Sequence, residues 1–207
     1  WSARTGDYLG DWSFDSAPTL QAEADTWRAH LGGPSVAPGV EATHLFFDAA
    51  EGEATEYSVI GTATTSDGLS WTVDEDPILE PQHPHEGTHI ADPYVVYDPD
   101  TELWRMFYSA FDGDEWTIGH AVSHDLVDWT ADESPLNIAN SSSAAAPTVH
   151  RQLGRWHMWF SAWDGTAWSL AYATSPDGTH WSAGDFGIEL AANDDGARPP
   201  RATVHGS

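Results

Sequence analysis

The chain has 207 residues, with 33 acidic side chains against 7 arginines, no lysine and a formal net charge of −26; such a charge repels nucleic-acid phosphates and anionic membrane surfaces, so neither is expected as a partner. The absence of cysteine excludes disulfide staples and thiolate metal sites. No run approaches the ~20 apolar residues of a membrane-spanning helix, whereas 12 tryptophans and 40% apolar residues argue for a packed core rather than disorder.

In chain order, residues 1–3 read WSA, a string that returns at residues 181–183 and, as WTA, at residues 129–131, so the chain opens inside a repeat. Residues 21–31 offer no convincing apolar helical face and read as a connection. A first full unit begins near Gly32, a second at Ala91 and a third at Ala146, and the string at residues 202–207 resembles the opening of a fourth. The repeat is clearest at residues 104–125, which return without a gap 52 residues later with 10 of 22 positions identical. Within the second unit, apolar runs at residues 94–97, 104–111 and 117–123 and a short run near Trp129 are separated by Asp, Gly, Pro and Ser clusters, the pattern of successive antiparallel strands. The expected fold is all-β, a β-propeller of four-stranded antiparallel blades in a single domain. Its units fall at about residues 34–90, 91–145 and 146–200, with partial blades at 1–33 and 201–207. A β-sandwich of duplicated hairpins is the competing architecture.

The turn before the last strand of each unit has the form [ST]xDxxxW, at residues 65–71, 123–129 and 175–181. A short acid there accepts bonds from turn amides, and the tryptophan covers the seam to a neighbouring blade, so Asp67, Asp125 and Asp177 read as structural. Function is expected instead where the first strands open and converge: at Gly33 and Pro34, Asp92 and Pro93, Ala146 and Pro147, and near Arg201. Just before Asp92, His83, His85, Glu86 and His89 form either a solvated polar loop or, at Glu86 and His89, a source of an acid or base. Phe111 and Trp163 occupy equivalent places before a DG turn, where a ring packs between blades or stacks on a sugar. His150 and Arg151 follow the third opening strand and are the remaining candidate contacts.

Three segments together carry a resemblance: ADPYVVYD at residues 91–98, SHDLVDW at 123–129 and SDGLSWTVDEDPILEP at 66–81. On these, and over nearly the whole chain from Gly32, the sequence resembles the five-bladed β-propeller glycosidases, glycoside hydrolase families 32 and 43 and their relatives. The resemblance implies five blades, more than this sequence contains, and open blade edges that invite association. It implies an oligo- or polysaccharide partner and no cofactor, although acids and histidines near the channel would permit a structural cation. Histidines 83, 85 and 89 lack a zinc-site spacing, and no metal ligand is assigned. Asp92 matches the family's DP aspartate, which holds the sugar and tunes its partner, and is the candidate catalytic residue; His89, Trp163, Phe111, His150 and Arg151 are the candidate substrate contacts. The family's general acid falls at Ala145, which cannot donate a proton, and its first carboxylate is expected upstream of residue 1.

Two functional classes therefore stand. One is a glycoside hydrolase-like protein that cleaves or transfers glycosidic bonds with paired carboxylates; the other is a non-catalytic carbohydrate-binding or protein-interaction propeller that has lost its acid. Lysine-free acidity reads as adaptation to molar salt, where the Debye length falls from about 10 Å at 0.1 M to about 3 Å at 1 M. No address is read at the N-terminus, and the compartment is not established: an acidic, lysine-free chain suits both the cytoplasm of a salt-accumulating cell and a briny exterior.

Overall fold

The computed structural model describes residues 18–51, 57–138 and 142–183. The strings at residues 1–3 and 202–207 lie outside the described residues. Among the described residues, twelve strands form three sheets, each a simple antiparallel meander in chain order. The first blade is β1 (His30–Pro38), β2 (Thr43–Ala50), β3 (Val59–Thr65) and β4 (Thr72–Val73). The second is β5 (His89–Asp98), β6 (Leu103–Phe111), β7 (Trp116–Ser123) and β8 (Thr130–Ala131). The third is β9 (Ser143–Gln152), β10 (Arg155–Trp163), β11 (Trp168–Ser175) and β12 (Ser182–Ala183). The fold is all-β and of the propeller type.

The first strand of each blade lies innermost. β5 packs on β1, β2 and β3, and β9 packs on β5, β6 and β7, so successive first strands sit side by side. Each middle strand is then buried on both faces, which explains why residues 104–111 read as a continuous apolar run rather than an alternating one. On β6, Met106, Tyr108 and Ala110 join Phe46, Ile60 and Ile90 in the core between the first two blades. Phe107, one residue out of phase, points the other way and joins Trp156, Met158 and Phe160 between the second and third.

The [ST]xDxxxW turns close these seams. Asp125 Oδ1 accepts the amides of Val127 and Asp128, both at 2.9 Å, and the hydroxyl of Ser123. The turn so fixed places Trp129 edge-on against Phe46 of the preceding blade at 5.7 Å, and Trp181 edge-on against Phe107 at 6.0 Å. The outer face of the first blade is covered by residues expected only to connect. Trp27 stacks on Phe47 at 6.3 Å, donates its indole N–H to the carbonyl of Glu75, and passes so close to Gly61 that a Cβ there would lie 2.7 Å from its ring.

Every first strand carries a bulge at an X-Pro pair. Register shifts place Gly33 and Pro34, Asp92 and Pro93, and Ala146 and Pro147 opposite a single residue of the neighbouring strand. Proline donates no ladder bond and is tolerated at such a bulge. The residue before it takes a left-handed backbone in all three blades, with φ of 49°, 50° and 51°. This bulge also makes β5 longer than the sequence pattern suggests. The strand begins at His89, because pairing resumes on the far side of the interruption.

Candidate functional site

Asp92 lies at the bulge of β5 and is held from two directions. Its amide donates to Asp48 Oδ1 on β2 of the preceding blade at 3.1 Å. Its own Oδ2 accepts the hydroxyl of Ser109, from β6 of the same blade, at 3.2 Å. The Ser109 oxygen in turn accepts the amide of Ala146 on β9, at 2.7 Å. Asp48 and Ser109 occupy equivalent places, paired with Gly32 and Ala91 respectively, so one device is used in both seams: a side chain on a middle strand accepts the left-handed amide of the next blade's first strand. A left-handed non-glycine residue costs roughly 1–2 kcal/mol, and a bonded amide offsets part of that cost.

Asp48 was not singled out by the sequence. Its counterparts Ser109 and Ser161 are serines, so no repeated letter marks the position, and only the strand register brings it beside Asp92. It is 9% exposed, whereas Asp92 is half-buried, its carboxylate against Ser109 of β6.

His89, Phe111 and Trp163 lie at the same end of the blades as Asp92. His89 and Phe111 are register partners, and Phe111 also pairs with Trp116. Trp116 stacks on Phe111 at 5.0 Å and receives the His89 ring edge-on at 5.2 Å. In the third blade Trp163 pairs with Ser143 and lies 5.6 Å from Trp168. The Ser143 hydroxyl oxygen accepts the amide of Trp116, joining the two aromatic groups across the seam. A cavity of about 300 Å³ opens beside this bond, lined by Trp116, Thr117, Leu136, Asn137 and Ser143 among others.

His150 and Arg151 are not brought to this end. They lie four and five residues past the bulge on β9, roughly 13–17 Å along the strand. His150 pairs with His157, at the start of β10. Arg151 forms ion pairs with Asp100 and Asp98 and lies over the Trp156 ring at 5.5 Å. Arg105, which bonds Asp98 Oδ2 at 2.8–2.9 Å, lies over the same ring at 5.4 Å. This group of charges joins the second and third blades at the far end of the inner strands.

The polar segment before Asp92 is not a solvated loop. Residues Pro84–Glu86 form a 3-10 turn in which Glu86 is fully buried. One Glu86 oxygen accepts the amides of Gln82 and His83, both at 2.7 Å, and the other accepts the Tyr108 hydroxyl at 2.6 Å. Burial and then the Glu86 carboxylate push the Tyr108 hydroxyl far above its ordinary pKa, so it remains a donor to Glu86. Glu86 therefore anchors the crossing between blades rather than facing the channel. His89 is 6% exposed, and burial pushes His85 below its ordinary value. Ala145 is fully buried opposite Ser161. Among the described residues, no group of three or more His, Cys, Asp or Glu side chains is placed to hold a metal ion.

These blades and bulges define the class: the chain has the fold of the five-bladed β-propeller glycoside hydrolases. No sequence family and no curated protein matches it. Among solved structures it is similar to a glycosyl hydrolase from Bacteroides ovatus, with a TM-score of 0.63 and 19% identity over 79% of this chain and 51% of that one. It is also similar to fructan 1-exohydrolase IIa from Cichorium intybus, with a TM-score of 0.62 and 16% identity over 75% of this chain and 31% of the other. A third neighbour is the β-1,2-mannobiose phosphorylase of Listeria innocua, with a TM-score of 0.60 and 14% identity over 75% of this chain and 58% of the other. The likeness is one of fold, and the chain spans about half the length of the Bacteroides neighbour.

Proposed function

We propose that the protein is a carbohydrate-active propeller of the glycoside hydrolase type, with its saccharide site centred on Asp92. The observation that carries this reading is the position of Asp92: a half-buried carboxylate at the bulge of β5, braced through its amide by Asp48 and through its side chain by Ser109. A carboxylate so held accepts hydrogen bonds from sugar hydroxyls without reorganising. Phe111 and Trp163, both half-buried, are the side chains at the same end that supply further contacts; His89 is buried against Trp116 and backs that aromatic group, whereas His150 and Arg151 stand too far along β9 to touch the same sugar. No cofactor is needed for this role. The charge of −26 without lysine supports a salt-adapted protein.

Hydrolysis or transfer requires two carboxyl groups flanking the bond, about 5 Å apart for retention and 6.5–9.5 Å for inversion. Of the three equivalent bulge positions, only Asp92 is acidic; Gly33 and Ala146 are not. That observation favours a second reading, a saccharide-binding propeller without turnover. Assays of aryl glycosides, β-1,2-mannobiose and a fructan, with binding measured on the same panel, separate the two. Turnover that falls about 10²–10⁴-fold in Asp92→Asn marks the hydrolase. Binding without turnover, lost in the same variant, marks the binding module, and a parent protein that neither binds nor cleaves any member of the panel contradicts both.

A further inference from the structure

The three bulges differ in how side-chain volume is shared across each seam. At the Asp92 bulge the first strand contributes a carboxylate and the middle strand a short serine. At the Gly33 bulge the first strand contributes nothing beyond Cα, and the carboxylate comes from the middle strand instead: a Cβ built on Gly33 would lie 2.2 Å from Asp48 Oδ1 and 2.9 Å from Asp92 Cα. The left-handed backbone does not by itself demand glycine there, since Asp92 and Ala146 adopt the same φ. Close approach does. Asp48 therefore occupies the space that a side chain at Gly33 would fill, and from that space it reaches the amide of Asp92.

We propose that Asp48 is a positioning residue for Asp92: it sets the direction of the Asp92 side chain by holding that residue's amide from the preceding blade, and Gly33 is present to leave it room. The inference deepens the saccharide reading of this end of the blades and rests on it for its functional half. Its structural half stands on the hydrogen bond alone.

The test reads the two halves separately. Amide hydrogen exchange at Asp92 reports the bond to Asp48. The Ala146 amide, held by Ser109 in the next seam, is the internal control for general loosening. In Asp48→Ala the Asp92 amide is expected to exchange at least tenfold faster while the Ala146 amide is unchanged. Asp48→Asn, which keeps the acceptor oxygen without the charge, is expected to restore protection. Gly33→Ala is expected to reproduce the Asp48→Ala pattern with the carboxylate still present, by displacing it.

Affinity for β-1,2-mannobiose or a fructan oligosaccharide, whichever the parent protein binds, is expected to fall about tenfold in Asp48→Ala and to return within about twofold in Asp48→Asn. Unchanged exchange at Asp92 in both Asp48→Ala and Gly33→Ala overturns the proposal. So does an Asp48→Asn variant with a protected amide and lost affinity, because the Asp48 charge would then be acting on the sugar directly. If the parent protein binds neither saccharide, the functional reading of the site fails, and the exchange data still decide whether Asp48 holds Asp92.

Discussion

A single aspartate has opposite meanings in this chain depending on which atoms face it. At the blade turns, carboxylates meet backbone amides. Asp67 is held at a pKa of about 2, first by the amides of Ser70 and Leu69 and then by the Thr65 hydroxyl, and the Asp128 and Val127 amides hold Asp125 below its ordinary value. A pKa lowered by folding contributes stability that is present above the unfolded value of roughly 3.9 and is lost as pH falls through the folded value. Thermal melts of the parent protein are therefore expected to lose stability between about pH 4 and 2. Asp125→Asn, which keeps the acceptor but not the charge, should be less stable than the parent at pH 6, with the difference shrinking as pH falls below the ordinary carboxylate range. A difference that stays constant across this range would assign the effect to shape rather than charge. Asp92 instead donates its amide to the Asp48 carboxylate and accepts the Ser109 hydroxyl, and its DP motif made it readable from the sequence. Asp48 was not readable, because its value depends on a register between two blades. Neither could sequence place His150 and Arg151, since nothing in it marks how far β9 runs beyond its bulge.

At the scale of the element, the recurring unit is a strand pair completed by its neighbours. The pair Phe46 with Trp129 recurs as Phe107 with Trp181, in each case a ring on a middle strand met edge-on by the turn tryptophan of the following blade. Trp181 is 5% exposed and also bonds the carbonyl of Gly178 at 3.1 Å. Trp181→Ala is expected to cost about 3–5 kcal/mol, read as a lower denaturant midpoint at an unchanged m-value. A loss below about 1 kcal/mol would mean that the seam closes without the ring. The four-strand meander was legible because the same aromatic spacing returns after 52 residues. The start of β5 was not, because Asp92 and Pro93 look like a strand boundary and only three-dimensional pairing reveals a bulge with ladder on both sides. The burial of Glu86 was not legible for a related reason. Three histidines and a glutamate suggest solvent exposure, yet the carboxylate has amide and hydroxyl donors that compensate its burial.

For the molecule as a whole, charge and connectivity act in different directions. A net charge of −26 opposes compactness through self-repulsion that salt screens. The melting temperature is accordingly expected to rise between 0.1 M and 2 M KCl, and a fall over that range would contradict salt adaptation. Connectivity is local: the first strands of the second and third blades are each received by the blade before them, through Asp48 for Asp92 and Ser109 for Ala146. That polarity has a consequence for synthesis. Domains emerge and fold from the N-terminus at about 5–20 residues per second, so on the ribosome each new first strand meets an acceptor that has already been made. The amide of Asp92 is thus received by a residue translated before it, whereas the Ser109 hydroxyl that its carboxylate accepts follows later in the same blade.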